Sequence, residues 1–136
     1  MSDCIFCKIA AGDIPSTALF EDEKVKVIFD ISPATLGHAL VIPKTHAANV
    51  FEIEDELLAH AHIVAKKVAT ALKDATGCKG INILQNNGEV AGQSVFHLHI
   101  HVIPRYDDDD AHIKWTPGTQ DTAGLEKILA KVKETL

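Results

Sequence analysis

The sequence predicts an α+β domain: an antiparallel β-sheet with helices packed on it. Three observations predict it. Short apolar runs follow one another across turns too brief for a crossover helix. One segment, 55–76, places apolar residues at three- and four-residue steps. Another, 97–104, alternates strictly between two kinds of side chain, as a strand does. At 136 residues the chain is one domain, spanning 1–136, able to hide about two-thirds of its unfolded surface.

The elements follow in order. Met1 to Pro15 is a compact opening segment that carries Cys4 and Cys7. Ala18–Glu21 and Val25–Phe29 read as strands joined by the acidic turn Asp22-Glu23-Lys24, as in a hairpin. Ile31 to Gly37 is a loop punctuated by proline and glycine, and His38 to Pro43 is β-rich again until the proline stops it. The helix over 55–76 places Leu57, Leu58, Ala61, Val64, Ala65, Val68 and Leu72 on one face. Acids at Glu54, Asp55 and Glu56 suit its positive end, and Gly77 stands where a C-terminal cap belongs. Gly80–Leu84 is a strand, Asn86–Gln93 a polar loop with glycines, and His97–Pro104 a strand. A last helix over 121–132 gathers Leu125, Ile128, Leu129 and Val132 on one side.

Composition excludes several classes. Lys plus Arg number 13 and Asp plus Glu 19, so the formal charge is 13 − 19 = −6, against a broad nucleic-acid-binding face. One local site can still hold a small phosphate compound. No apolar run approaches the ~20 residues of a membrane span. Met1 to Gly12 has Asp3, Lys8 and no long apolar stretch, so it does not read as a secretion signal. The cysteines number 3, an odd count that fits a reducing cytoplasm better than a disulfide framework.

The sharpest feature is His97-Leu98-His99-Ile100-His101-Val102-Ile103. Alternation projects His97, His99 and His101 from one face, roughly 6.6–6.8 Å apart, and Leu98, Ile100 and Val102 from the other. Three readings are open: a solvent-facing strand, three ligands for one metal, or nucleophilic and acid–base chemistry. Imidazole titrates near neutral pH, so it can attack, accept or donate a proton. The preceding loop, Asn86 to Ser94, points to phosphate as the target. Its glycines let backbone N–H groups approach an anion, and Gln93 and Ser94 add side-chain donors.

Gly92-Gln93-Ser94-Val95-Phe96-His97-Leu98-His99-Ile100-His101-Val102 resembles the signature of the histidine triad (HIT) nucleotide hydrolases and transferases. The resemblance extends to Asp30-Ile31-Ser32-Pro33, to Gly37 through Lys44, and to Cys4-Ile5-Phe6-Cys7-Lys8-Ile9, in the order of the HINT-like branch. It implies an α+β fold, a homodimer formed by joining sheets, and purine nucleotide substrates. It implies that His99 attacks the α-phosphorus to form a covalent nucleotidyl-histidine that water then hydrolyses. His101 would assist the leaving group, and His38 would support the nucleophile's orientation and tautomer. Asn86, Gln93 and Ser94 would contact phosphate and leaving group, and Asp30 the ribose hydroxyls. Phe6, Ile9 and Ile28 would wall the base or simply fill the core. Hydrolysis is favoured over transfer because 136 residues leave little room for an acceptor pocket.

Cys4-x-x-Cys7 has the spacing of half a zinc site. In HIT proteins that keep it, the remaining ligands match His46 and His97 here. A structural zinc on Cys4, Cys7, His46 and His97 would take one histidine of the row and leave two for chemistry. The competing functions are a metal-activated hydrolase with zinc on the histidine row, and a nucleotide-binding protein with little turnover. Asp107–Asp110 reads as a solvated acidic face. His60 and His62 read as exposed, and Trp115-Thr116-Pro117-Gly118 only partly resembles the branch's C-terminal segment.

Overall fold

The computed structural model describes residues 3–136. Five strands, β1 (Ala18–Glu21), β2 (Val25–Phe29), β3 (Ala39–Pro43), β4 (Gly80–Leu84) and β5 (Ile100–Arg105), form one sheet in the order β1-β2-β3-β5-β4. Every neighbouring pair is antiparallel. The helices are α1 (Ile5–Ala11), α2 (Asp55–Thr76) and α3 (Thr122–Thr135), with a short 3-10 turn at Glu89–Ala91. The α+β expectation therefore holds.

The strand alternation divides the sheet into two faces. Val25, Val27, Ala39, Val41, Ile100 and Val102 lie under Ala61, Val64, Ala65, Val68 and Leu72 of α2, and all are buried. Each such side chain taken from water contributes about 1.5–3 kcal/mol. Ile28, Leu40 and Ile42 face the other way and are covered by Phe6 and Ile9 of α1. Register sets Leu40 opposite His101, so this second face carries the histidines.

Two boundaries differ from the sequence reading. β5 starts at Ile100, because the ladder with β3 ends at the Val41–Ile100 pair. Before it, the Leu98 N–H donates to the Ala47 carbonyl at 2.7 Å, drawing the chain toward the segment after β3. His97 and His99 thus precede the strand, yet Leu98 remains buried with Ala47 and Ile53, preserving the alternation. Asp121 caps α3 rather than opening it, its carboxylate accepting the Gly124 N–H at 3.0 Å. The apolar face of α3 stays exposed, with Leu125 at 44% and Ile128 at 58%, so among the described residues the helices that cover the sheet are α1 and α2.

Candidate active site

Main-chain groups decide where His97, His99 and His38 carry their protons. The His99 Nδ1–H donates to the His97 carbonyl at 2.7 Å, leaving Nε2 with the lone pair. Among the described residues every buried side-chain nitrogen or oxygen has a partner. Nε2 of His99 has none, so solvent reaches it. His99 is 8% exposed, and Phe6 packs edge-on against its ring at 4.9 Å between centroids. The solvent-facing reading of the row is thereby overturned, since His97 is fully buried.

His38 sits just before β3 and is 5% exposed. The Ala34 N–H donates to its Nδ1 at 2.9 Å, so its own proton is on Nε2. That Nε2–H donates to Nδ1 of His101 at 2.9 Å, which places the His101 proton on Nε2. His38 thus supports His101, while the His97 carbonyl holds the tautomer of His99. The rings of His99 and His101 lie 4.9 Å apart. The result is a pair of unlike imidazoles side by side: one offers a lone pair, the other an N–H.

Burial holds all three below the ordinary histidine range. His101 is pushed down to about 4 by burial, with His99 and His38 adding to the effect and Asp30 opposing it. Burial likewise lowers His38 and His99. The Asp30 carboxylate lies 3.7 Å from Nε2 of His38, and its other oxygen accepts the Ser32 N–H at 2.8 Å.

The loop residues separate. Asn86 makes no side-chain hydrogen bond among the described residues, and its amide lies against Gly92. There a Cβ would come within 3.3 Å of Nδ2, at φ +103°. Gly92 therefore serves both the turn and the close approach. Ser94 is exposed. Gln93 differs from the expectation: it is 2% exposed, and its amide donates to the Ala48 and Val95 carbonyls at 2.6 and 3.1 Å. Its oxygen accepts the Gly88 N–H at 2.8 Å. The Gln93 amide thus ties the loop to its own main chain and to the segment after β3.

Cys4, Cys7, His46 and His97 bring four donor atoms within 4.8 Å of one another. The His97 Nε2–H donates to the Pro43 carbonyl at 2.8 Å, so Nδ1 presents its lone pair to the cluster. That Nδ1 lies 3.3 Å from Cys4 Sγ, 3.5 Å from Cys7 Sγ and 3.1 Å from His46 Nδ1. A tetrahedral zinc sets donor-to-donor edges of about 3.3–3.8 Å, from Zn–N of about 2.1 Å and Zn–S of about 2.3 Å. Donor type and spacing fit that ion. Burial and the neighbouring Cys4 raise the Cys7 thiol, an arrangement a cation would reverse.

The sequence reading missed the main-chain partners, because a carbonyl or an N–H leaves no signature in residue type. It also misjudged two surface groups. Asp109 does not belong to a solvated face: it clamps the Arg105 guanidinium at 2.9 and 3.0 Å and accepts the Tyr106 N–H. His60 meets the Asp22 carboxylate at 2.7 Å. Trp115 is 83% exposed.

Comparison with known proteins places this geometry. Residues 11–108 match the HIT domain family. Adenosine 5'-monophosphoramidase HNT1 of Saccharomyces cerevisiae is 44% identical over 135 residues, covering 96% of this chain and 83% of that protein. The crystal structure of a HIT family member from Bacillus subtilis superposes with a TM-score of 0.90 at 46% identity, covering 98% of this chain and 97% of the other. A Zn-bound histidine triad family protein from Mycobacterium smegmatis matches with a TM-score of 0.78 at 36% identity, over 99% of each chain. Fold, motif order and sequence identity agree, and the chain belongs to the HIT family.

Proposed function

We propose that the protein is a nucleotide hydrolase that releases a nucleoside monophosphate from an amidate, anhydride or ester at the α-phosphorus. A single observation carries the reading: His99 has one nitrogen committed to the His97 carbonyl and the other, a lone pair, without a hydrogen-bond partner among the described residues. Beside it, His101 holds an N–H. The activity in the name of the yeast relative supports a phosphorus–nitrogen bond as one target.

In this mechanism His99 Nε2 attacks phosphorus, and the bonding pair leaves with the amine or oxygen. His101 delivers its Nε2–H to the leaving atom as the bond to phosphorus breaks, and solvent returns one proton to the His38–His101 pair, which stays neutral overall. The incoming phosphate charge and the Asp30 carboxylate favour that uptake. Water then attacks the nucleotidyl-histidine and loses a proton through the same pair, freeing His99. Asn86 and Ser94 supply side-chain donors to the phosphoryl oxygens. Asp30 accepts the ribose hydroxyls of a purine nucleotide.

Cys4, Cys7, His46 and His97 hold a structural zinc in this reading. All four positions are protein ligands, so the ion binds α1 to the end of β3 and to the segment entering β5. Reduced thiols suit a cytoplasmic protein. The rival, one catalytic zinc on the histidine row, conflicts with the tautomers: His97 Nδ1 turns to the cysteines, whereas His99 belongs to neither donor cluster among the described residues. A cation on His38 Nε2 would require a tautomer that the Ala34 N–H opposes. We further propose a homodimer through β4, an edge strand whose Ile83 is 45% exposed; a monomeric mass in sedimentation at micromolar concentration would refute it.

A turnover screen over adenosine and guanosine amidates, anhydrides and esters tests the activity. Nucleoside monophosphate accumulates with at least one of them, and His99→Ala lowers that rate by about a thousandfold or more. Tight binding by the wild-type protein without any product would instead make it a nucleotide-binding protein.

A further inference from the structure

We propose that Thr35 and Tyr106 are positioning residues for departure of the leaving group, acting through the tautomer of His38; this rests on the hydrolase reading above. The segment 30–38 joins β2 to β3 without regular structure. It closes on itself, with the Asp30 N–H on the His38 carbonyl at 2.9 Å and the His38 N–H on the Thr35 carbonyl at 3.2 Å. Two hydroxyls fix it against the end of β5. Thr35 Oγ1 donates to the Pro104 carbonyl at 2.5 Å, and the Tyr106 hydroxyl donates to the Leu36 carbonyl at 2.6 Å.

The location of the first bond is informative. Thr35 is 7% exposed and Pro104 is fully buried. Pairing between β3 and β5 ends at Ala39 and Val102, so Pro104 lies beyond the ladder shared with β3. Thr35 supplies the donor that a longer β3 would have given. The approach is close: a Cβ on Gly37 would meet the Pro104 ring at 3.3 Å, at φ +93°.

The anchored residues Thr35 and Leu36 directly follow Ala34 in the chain, and the Ala34 N–H occupies Nδ1 of His38. That donor restricts neutral His38 to its Nε2–H form, and His38 in turn restricts His101 to its own Nε2–H form. If the loop slackens, the Ala34 N–H retreats and His38 is free to place its proton on Nδ1. Its Nε2 then presents a lone pair, His101 turns its proton toward it, and the nitrogen facing the leaving atom becomes bare. The defect is selective. An alkylamine leaves with the electron pair of the phosphorus–nitrogen bond and needs the proton from His101 Nε2. A p-nitrophenolate leaves with the pair of the phosphorus–oxygen bond and needs none.

The test compares wild type, Thr35→Val, Thr35→Ser and Tyr106→Phe on a nucleoside monophosphate alkylamidate and on the corresponding p-nitrophenyl ester. On the amidate, kcat falls about tenfold or more in Thr35→Val and a few-fold in Tyr106→Phe, while KM holds. On the ester, kcat stays within about twofold of wild type. Thr35→Ser, which keeps the hydroxyl, recovers the amidate rate. Nitrogen NMR of the imidazoles shows His38 protonated on Nε2 alone in wild type and on both nitrogens in exchange in the variants. Equal losses on both substrates, or an unchanged His38 pattern in the variants, would overturn the proposal. If Thr35→Val does not fold, Tyr106→Phe carries the same comparison. If wild type turns over neither substrate, the hydrolase reading fails, and the NMR comparison alone decides whether the two hydroxyls set the tautomer.

Discussion

A neutral imidazole has one proton for two nitrogens, and here the main chain places it. The His97 carbonyl takes the His99 Nδ1–H, the Pro43 carbonyl takes the His97 Nε2–H, and the Ala34 N–H forces the His38 proton to Nε2. Neighbours of the same residue type thereby differ: His97 turns a lone pair to the cysteines, His99 keeps a lone pair on Nε2, and His101 keeps an N–H there. His101→Ala should lower amidate turnover by about 10²- to 10⁴-fold and spare a p-nitrophenyl ester, in a comparison of kcat on the two. Equal losses on both would remove the acid role. The histidines brought together here were legible in the sequence, since His97, His99 and His101 stand at alternate positions. Their partners were not: a carbonyl belongs to every residue, and only folded coordinates show which one meets a ring. Gln93 illustrates the converse. Its polarity and position suggested a substrate contact, but three main-chain groups claim its amide.

At the level of elements, periodicity was enough for β1, β2, β4 and α2, whose observed bounds coincide with the expected ones. It failed where a tertiary bond overrides the local pattern. The strand with the histidines begins three residues late because Leu98 bonds to Ala47 outside the ladder. The apolar stripe of α3 gave the helix but not its packing, since a helical period does not say what covers it. α1 is only seven residues long, too short to be stable by itself. Its hold on the sheet is Phe6 and Ile9 packed on Ile28, Leu40 and Ile42, together with the cysteine–histidine cluster. Removing zinc by chelation under reducing conditions should lower the melting temperature by roughly 10 °C, or about 3 kcal/mol at this chain length. Metal analysis of the native protein should give one zinc per chain. A metal-free native preparation with an unchanged melting temperature would eliminate the ion without affecting the His99 chemistry.

For the molecule as a whole, burying neutral imidazoles ties stability to pH. His101 is lowered from the ordinary 6.5 to about 4, and burial lowers His38 as well; the groups facing them are His99 and Asp30. In the window between these two values the unfolded chain binds more protons than the folded one. Stability therefore rises as pH climbs through the window and falls on acidification. Urea unfolding midpoints measured from pH 4 to pH 7 should show that slope, and exchanging His101 for Asn should flatten it. A midpoint constant across the range would contradict the buried neutral pair. Single-domain organisation and the face that α2 covers were readable from length and pattern. The joining of α1, β3 and the row into two adjacent sites depends on register, with Leu40 opposite His101, which no local pattern encodes.

The covalent step is tested most directly by rapid quenching during turnover of a nucleoside monophosphate amidate, followed by peptide mass spectrometry. The account predicts a transient adduct of one nucleotidyl group on His99, absent from His99→Ala. Product formation at full rate with no adduct at any time, or with the label on a different residue, would contradict it.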